Sequence, residues 1–246
     1  MRLDKLLLER GLTGSRERAQ ALILAGKVLV NGQKVEKAGA GVEGSAEIRL
    51  LGVDLKYVSR GGLKLEAALR HWQIDVTGKI CLDVGTSTGG FTDCLLQHGA
   101  GRVIAVDTGH GQIDFRLRQD IRVRLLEKTN ARYLTPQQVG EVVDLVVVDV
   151  SFISATLVLP AVIAAAFPLP AERSGRRVVV LVKPQFEAGR KQVGKGGIVR
   201  DLAVQEAAVE KLRRALQNLG CTSTDVIDSP ILGGEGNREF LLYTQF

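Results

Sequence analysis

The stretch ICLDVGTSTGGF, at residues 80–91, decides the fold. Its first five residues, apolar apart from Asp83, predict a buried β-strand, and the glycines that follow predict a sharp turn. A helix is expected to begin near Phe91. A parallel strand that passes through glycines into a helix directs the N-terminus of that helix at a ligand, and glycine lets the ligand approach the backbone closely. The sequence therefore predicts a ligand site at this turn.

Acidic residues on both sides of the turn narrow the choice of ligand. Asp83 precedes Gly85 by two residues, and a second predicted strand, residues 102–106, ends at Asp107. A dinucleotide site has GxGxxG spacing and binds a pyrophosphate, which a nearby carboxylate repels. S-adenosylmethionine carries a sulfonium and an ammonium group, and Asp107 can accept hydrogen bonds from ribose hydroxyls. The residues favour S-adenosylmethionine, and an ordinary crossover with solvated acids is the alternative.

The balance of charge points to a polyanionic partner. The chain has 246 residues and a net charge of +6, with a pI near 9.4. Residues 1–70 hold 13 Lys and Arg against 8 Asp and Glu, whereas residues 71–246 hold 20 against 19. The excess is therefore concentrated at the front, where contact with a nucleic acid is expected.

Three cysteines, an odd number without metal-ligand spacing, argue against a disulfide framework and a metal site. No secretory leader is recognisable, and the longest apolar stretch, residues 157–167, contains Pro160 and is too short to span a bilayer. We predict a soluble cytoplasmic protein with no membrane partner and no metal.

The first 50 residues predict a small α+β unit. Residues 2–10 form an amphipathic helix, Ser15 caps a second helix, and Asn31-Gly32 is the strongest short hairpin signal. The cations that could contact RNA phosphates, unless they form a merely solvated face, are Lys5, Arg10, Arg16, Arg18 and Lys27. The run RLDKLLLERGLTGSRERAQALILAGKVLVNGQKV closely resembles the RNA-binding module first named for ribosomal protein S four.

Beyond the turn, strands and helices alternate, which predicts a doubly wound, Rossmann-like parallel sheet. The predicted strands are residues 122–126, 144–148 and 177–182, followed by a helix at 202–219 and two closing strands at 224–227 and 238–243. Asp149 and Lys183 follow buried strands at the edge where open α/β sheets place their sites. Residues 187–200 combine four cations with four glycines and are interpreted as a mobile loop suited to closing over a phosphate backbone.

Four polar residues are the candidate catalytic set: Lys64, Asp149, Lys183 and Glu239. No Asn-Pro-Pro-Tyr follows the fourth strand and no Pro-Cys nucleophile is present, which disfavours the common routes of base methylation. A lysine can remove a hydroxyl proton only when neutral. Burial and a second nearby cation favour the neutral amine of Lys183, whereas Asp149 and Glu239 oppose it. The sequence leaves this balance open.

This order of lysine, aspartate, lysine and glutamate, with Asp-Val-Ser-Phe at 149–152 and Val-Lys-Pro-Gln-Phe-Glu at 182–187, resembles the TlyA (haemolysin A) family of ribosomal RNA 2′-O-methyltransferases. The resemblance covers nearly the whole chain. It implies an FtsJ-like catalytic domain that methylates a cytidine 2′-hydroxyl, with those four residues as its catalytic tetrad. The expected cofactor-binding residues are Asp83, Gly85, Thr86, Ser87, Thr88, Gly89, Gly90, Phe91, Asp107 and Asn130, and Arg60 joins the RNA-binding set.

The expected domains are an RNA-binding domain at 1–55, a linker at 56–62 and a methyltransferase domain at 63–246. The junction reads Lys56-Tyr57 where some family members have Arg and Trp. The chain starts directly at its first helix, as in shorter members linked to the large subunit alone. Ribosomal RNA in a ribosomal subunit or its precursor is therefore the expected substrate, with the large subunit favoured and the small subunit as the alternative. The alternatives are a non-catalytic ribosome-assembly factor, a membrane-lytic protein and, disfavoured by Asp83, a dinucleotide oxidoreductase.

Overall fold

The computed structural model describes residues 1–10, 12–13, 15–51, 56–169, 171, 173–233 and 236–246. The chain forms two compact units, Met1–Leu55 and Lys56–Phe246. Residues 52–55, next to the predicted domain boundary, lie outside the described residues. Residues 56–62, predicted as a linker, group with the second unit because Tyr57 is buried and the Val58 amide donates a 2.7 Å hydrogen bond to Asp93.

The first unit packs two helices against an antiparallel sheet. Its elements are α1 (Leu3–Glu9), α2 (Arg16–Leu24), β1 (Val28–Val30), β2 (Gln33–Lys34) and β3 (Ile48–Leu50), with strand order β2-β1-β3. Ser15 caps α2 by accepting a hydrogen bond from the Arg18 amide. Asn31 and Gly32 turn the hairpin with φ of 50° and 78°, the left-handed pair that a two-residue hairpin turn requires.

The second unit is built on a mostly parallel sheet. Its strands are β4 (Ile80–Val84), β5 (Arg102–Val106), β6 (Val123–Leu126), β7 (Leu145–Val148), β8 (Arg177–Val182), β9 (Ser223–Asp228) and β10 (Phe240–Gln245). Within the described residues the sheet has seven strands in the order β6-β5-β4-β7-β8-β10-β9. In this sheet β10 lies between β8 and β9 and runs antiparallel to both of them.

Helices cover both faces of this sheet. They are α3 (Gly61–His71), α4 (Gly90–Gln97), α5 (Phe115–Gln119), α6 (Pro136–Val139), α7 (Leu159–Ala166), α8 (Pro184–Glu187) and α9 (Leu202–Asn218). Short 3₁₀ turns lie at Ala131–Tyr133, Ala155–Leu157, Arg190–Gln192 and Lys195–Gly197.

Alternation along the strands explains the two covered faces. In β7, Val146 and Val148 pack with α7 and α9, while Leu145 and Val147 pack with α3 and α4. Successive side chains of a strand point to opposite faces, so an all-apolar strand requires a helical layer on each side. The predicted fold class, a doubly wound Rossmann-like sheet with a small N-terminal α+β domain, is confirmed.

Candidate active site

Two ion pairs lie at the carboxyl edge of the parallel strands. Lys64 Nζ lies 2.5 Å from Glu239 Oε2, and Lys183 Nζ lies 2.6 Å from Asp149 Oδ1. The side chain of Glu239 is 3% exposed and both lysine side chains are 11% exposed. Lys183 Nζ also donates a 2.8 Å hydrogen bond to the Ser151 hydroxyl. The structure thus brings the predicted catalytic residues together as two largely buried pairs.

The topology of the sheet explains this convergence. Asp149 and Lys183 follow the adjacent parallel strands β7 and β8, so they leave the sheet at the same edge. Phe240 pairs with Val182 in the antiparallel register, which places Glu239 at that edge too. Glu239 was predicted to start the last strand, but β10 begins at Phe240 and Glu239 lies just before it. Lys64 enters from the first turn of α3.

One cleft connects the ion pairs to the glycine turn. Its lining includes Lys64, Asp149 and Lys183, and its remaining walls come from Ser59, Arg60, Gly61, Gly85, Thr86, Ser87, Thr88, Gly90, Phe91, Ser151, Ile231 and Leu232. A Cβ at Gly233 would lie 2.3 Å from Glu239 Oε1, so only glycine leaves room there for the buried carboxylate. The cleft therefore presents both lysines and the Asp149 carboxylate to a substrate, while Glu239 lies behind Lys64, outside the lining.

The glycine turn lies close to the backbone of the loop that follows β7. Gly85 has a φ of 89°, and a Cβ there would lie 2.4 Å from the carbonyl oxygen of Asp149. Both constraints require glycine. The Ser87 amide donates to Asp107 at 2.7 Å, which fixes the turn against the end of β5. The turn is therefore held between the strands on either side of β4.

Asp83 lies beneath the turn rather than on the wall of the cleft. It is fully buried, its Oδ2 accepts a 2.6 Å hydrogen bond from the Thr92 hydroxyl, and its Oδ1 has no hydrogen-bond partner. Burial raises the pKa of Asp83 to about 7, with the Asp149 charge adding to the effect and the Thr92 hydrogen bond opposing it. Gly89, also among the predicted cofactor residues, is buried as the left-handed cap of α4.

A second cleft adjoins the first across Gly85, Ser87, Asp149 and Ser151. Polar groups of Asp107 and Asn130 lie on one part of its wall, and apolar walls come from Val84, Val106, Ala131, Val150, Ile153 and Val158. Asp107 already accepts backbone hydrogen bonds from Ser87 and Gly109 at 2.7 and 2.6 Å, which orient its carboxylate. An apolar slot with an oriented carboxylate at its edge suits an adenosine.

An exposed aromatic pair at the rim was missed by the sequence analysis. Phe152 is 92% exposed, and its ring centroid lies 5.3 Å from that of Phe186. Phe152 also has a φ of 65°, a left-handed conformation that is rare for a bulky residue. The signal available in the sequence was an aromatic residue three positions after Asp149, where a strand-end loop is normally polar.

The cationic loop at residues 187–200 is anchored near its C-terminal end. Asn237, which is 1% exposed, accepts a hydrogen bond from the Val199 amide at 2.9 Å and donates to the Gly197 carbonyl at 2.8 Å. Gln205 donates to the Val199 carbonyl at 2.8 Å. These buried bonds tie the loop to the segment that carries Glu239, while Lys191, Lys195 and Arg200 remain exposed.

The cations of the first unit divide into two groups. Arg16 and Arg2, the latter not predicted, both donate 2.9 Å hydrogen bonds to the buried carboxylate of Asp4, and their side chains stay 42% and 48% exposed. Arg10 instead donates to the carbonyls of Ala46 and Gly44 at 2.7 and 2.5 Å, so its guanidinium supports the fold.

Arg2 and Asp4 thus belong to one oriented cluster with Arg16. The hydrogen bonds from Arg2 and Gln20 hold the pKa of Asp4 well below its usual range. Lys5 and Lys27 are exposed and Arg18 is half-buried. Arg60 belongs to the second unit, where it is exposed beside Lys64 on the wall of the first cleft.

Comparison with protein-family models identifies both units. The model of the FtsJ-like methyltransferases matches residues 57–246. The chain belongs to the FtsJ-like methyltransferase family. The S4 domain model matches residues 1–48. The predicted methyltransferase class and the predicted N-terminal RNA-binding module are confirmed.

Relatives that align with nearly the whole chain show to which group of FtsJ-like methyltransferases it belongs. It is 45% identical to the 16S/23S rRNA (cytidine-2′-O)-methyltransferase TlyA of Mycobacterium tuberculosis, over 98% of this chain and 88% of the relative. It is 34% identical to the 23S rRNA (cytidine-2′-O)-methyltransferase TlyA of Campylobacter jejuni, over 99% of this chain and 98% of the relative. The predicted membership of the TlyA family is confirmed.

A solved structure agrees with the fold. A protein from Streptococcus thermophilus described as a candidate hemolysin is 43% identical and superposes with a TM-score of 0.75, covering 100% of this chain and 88% of that one. In the described part of this FtsJ-like chain, no helix combines the length and apolar character needed to cross a bilayer.

Proposed function

We propose that the protein transfers a methyl group from S-adenosylmethionine to the 2′-hydroxyl of a cytidine in ribosomal RNA. The observation that carries the proposal is the convergence of two lysine–carboxylate pairs on one cleft beside the glycine turn. A protein that only bound RNA would have no need of two largely buried ion pairs at this edge, because apolar residues in their place would often stabilise the fold as well or better. The TlyA relatives named as ribosomal RNA cytidine-2′-O-methyltransferases support the same assignment.

The residues of the two clefts fit S-adenosylmethionine. Asp107 would accept hydrogen bonds from the ribose hydroxyls, and the apolar slot next to Asn130 would hold the adenine. The turn at Gly85–Phe91 would hold the methionine portion, and Asp83 lies buried beneath it. When bound, the cofactor supplies an electrophilic methyl group on a sulfonium, whose sulfur keeps the electron pair of the broken carbon–sulfur bond.

The protein's contribution is positioning and proton removal. Lys183, acting as a neutral amine, would accept the proton of the attacking 2′-hydroxyl. Asp149 and the Ser151 hydroxyl orient the amine. Lys64, held by Glu239, presents a positive charge to the oxygen that becomes negative as it loses its proton.

Recognition of the RNA is divided between the two units. The oriented guanidinium groups of Arg2 and Arg16, together with Lys5, Arg18 and Lys27, would contact phosphates. Arg10 is not expected to contact phosphates, because its guanidinium donates to backbone carbonyls within the unit. In the second unit, Arg60 and the anchored cationic loop would contact phosphates near the target. Phe152 offers a ring on which a base taken out of its stack can lie.

The proposal is tested with labelled cofactor and undermodified ribosomal substrates. Small subunits, large subunits and their protein-free RNAs are incubated separately with the protein, and the modified nucleotide is mapped by mass spectrometry. One 2′-O-methylated cytidine is expected, and incorporation into the large subunit alone would bear out the subunit preference. Cofactor binding without incorporation into any ribosomal RNA would contradict the proposal. A ribosomal substrate also implies a cytoplasmic location.

A further inference from the structure

Glu187 is a buried carboxylate that lies outside both clefts. It ends α8, four residues after Lys183, and its side chain is 3% exposed. Its Oε1 accepts a 2.6 Å hydrogen bond from the Ala155 amide, and its Oε2 accepts one from the Ser154 hydroxyl. Lys211 Nζ, on α9, lies 3.0 Å from Oε2. A carboxylate so thoroughly supplied with donors is fixed in place, because charge-assisted hydrogen bonds are short and strong.

These contacts join the two loops that carry the catalytic pair. Ser154 and Ala155 belong to the loop that leaves β7 with Asp149, and Glu187 belongs to the segment that leaves β8 with Lys183. Lys211 reinforces the junction, since its Nζ also donates to the Glu187 carbonyl at 2.9 Å and to the Ser154 hydroxyl at 3.1 Å. One buried carboxylate therefore sets the spacing between both loops and α9.

The loop after β7 has an unfavourable conformation that requires such support. Phe152 adopts a left-handed backbone and is 92% exposed, so its own packing, apart from Phe186, contributes little to holding it there. A bulky residue persists in this region only where its surroundings impose it. Val150, Ser151 and Ile153 contact the core or Lys183, and the Glu187 carboxylate then fixes the two residues that follow, Ser154 and Ala155. Phe186, the ring beside Phe152, is the residue next to Glu187.

We propose that Glu187, with Lys211, is a positioning residue for methyl transfer. It holds Phe152 in its left-handed conformation against Phe186 and keeps Asp149 and Lys183 at their mutual distance. Its effect on catalysis rests on the proposed function, whereas its effect on the loop does not. Glutamine in its place would retain one acceptor but turn an amide NH2 group toward donors that already surround it.

The test compares Glu187→Gln with Glu210→Gln. Glu210 lies on the same helix as Lys211, and its ion pairs are with Arg213 and Arg214 of that helix. Because these ion pairs do not reach either loop, Glu210→Gln is a matched control. Chymotrypsin cleavage after Phe152, followed by mass spectrometry without substrate, measures how often the loop opens. Single-turnover and steady-state methylation give kcat and KM, and calorimetry gives the Kd of S-adenosylmethionine.

For Glu187→Gln we expect cleavage after Phe152 to accelerate and kcat to fall about tenfold or more, as misplacement of reacting groups causes. The cofactor Kd should stay within about twofold, and Glu210→Gln should match the wild type. A folded Glu187→Gln protein with wild-type cleavage, or with faster cleavage and wild-type kcat, overturns the positioning role.

If Glu187→Gln does not fold, Lys211→Met decides the question. That variant keeps the bonds from Ser154 and Ala155 and removes a side chain that is 43% exposed. Smaller changes in the same direction support the proposal, and wild-type behaviour overturns it. A wild-type protein that methylates no ribosomal RNA contradicts the proposed function alone, because the cleavage comparison is made without substrate.

Discussion

Lys183 Nζ lies 2.6 Å from Asp149 Oδ1, at the ends of two adjacent parallel strands. The same amine donates to the Ser151 hydroxyl at 2.8 Å, so two neighbours fix its direction. Lys64 and Glu239 repeat the arrangement at 2.5 Å across the cleft wall. A hydroxyl that enters the cleft therefore meets both hydrogen-bond donors and acceptors.

Replacing Lys183 tests its assignment as the base. Lys183→Ala should lower methyl transfer by about 100-fold or more, the usual contribution of a general base. The Kd for S-adenosylmethionine, measured by calorimetry, should change little, because Asp107 and the glycine turn remain. Lys79→Ala, just before β4 at the opposite edge of the sheet, is the control and should keep wild-type turnover. Retained turnover in Lys183→Ala removes this residue from the mechanism.

Removing one partner of the Lys64–Glu239 pair should destabilise the protein more than removing both. Glu239→Leu leaves a largely buried ammonium unpaired and should cost about 3–5 kcal/mol of unfolding free energy. The double variant Lys64→Met/Glu239→Leu should recover most of that stability yet remain inactive. Urea unfolding of the four proteins in the cycle gives the coupling energy. A double variant whose loss of stability equals the sum of the two single losses would show that the pair is not coupled.

Because Asp83 is buried, the free energy of unfolding should fall as the pH rises. Its pKa is about 7 in the folded protein against an ordinary 3.8, so the folded state retains a proton that the unfolded chain releases between those values. Stability is then lost progressively across this window, by about 4 kcal/mol in total.

The Asp83→Asn variant isolates this effect. Asparagine cannot titrate, so the difference in unfolding free energy between wild type and variant should change by about that amount between pH 4 and pH 7. The measurement is urea unfolding at several pH values. Parallel curves for the two proteins would mean that Asp83 titrates normally in the fold.

Phe152 should show opposite effects on stability and on activity. Phe152→Gly relieves a left-handed φ and should stabilise the protein by about 1 kcal/mol. Losing the ring should weaken capture of the target nucleotide by about 1–3 kcal/mol, the range for a base stacked on an aromatic side chain. Thermal unfolding measures the first effect and KM for the RNA the second. Phe115→Gly, another exposed ring, is the control for the RNA effect. Unchanged KM in Phe152→Gly would exclude a stacking role.

The arginines of the first unit should differ in their salt dependence. Arg2→Ala and Arg16→Ala should each reduce the slope of log Kd against log salt for RNA by about 0.7–0.9. Arg10→Ala should leave that slope unchanged and lower stability, because its guanidinium bonds Ala46 and Gly44. Filter binding at several salt concentrations separates the two classes. A reduced slope for Arg10→Ala would show that Arg10 does contact RNA phosphates.

The sequence predicts features that depend on local pattern and on strand ends. The glycine turn, the strands of the parallel sheet and the placement of Asp149 and Lys183 follow from apolar runs bounded by polar residues, since parallel strands share an edge. The sequence does not predict which polar side chains form hydrogen bonds within the fold and which face the solvent. Arg10 and Arg16 look alike in the chain, yet one bonds carbonyls and the other faces outward beside Asp4. The anchoring of residues 187–200 depends on Asn237, which is distant in sequence.

The order of strands has a consequence for how the enzyme matures during its own translation. β10 is synthesised after β9 but lies between β8 and β9 in the sheet. A nascent chain halted after β9 has no neighbour for that strand, and it also lacks Glu239, the partner of Lys64. Closure of the sheet and pairing of Lys64 with Glu239 therefore occur in the same step, so a chain that stops before β10 is expected to be inactive.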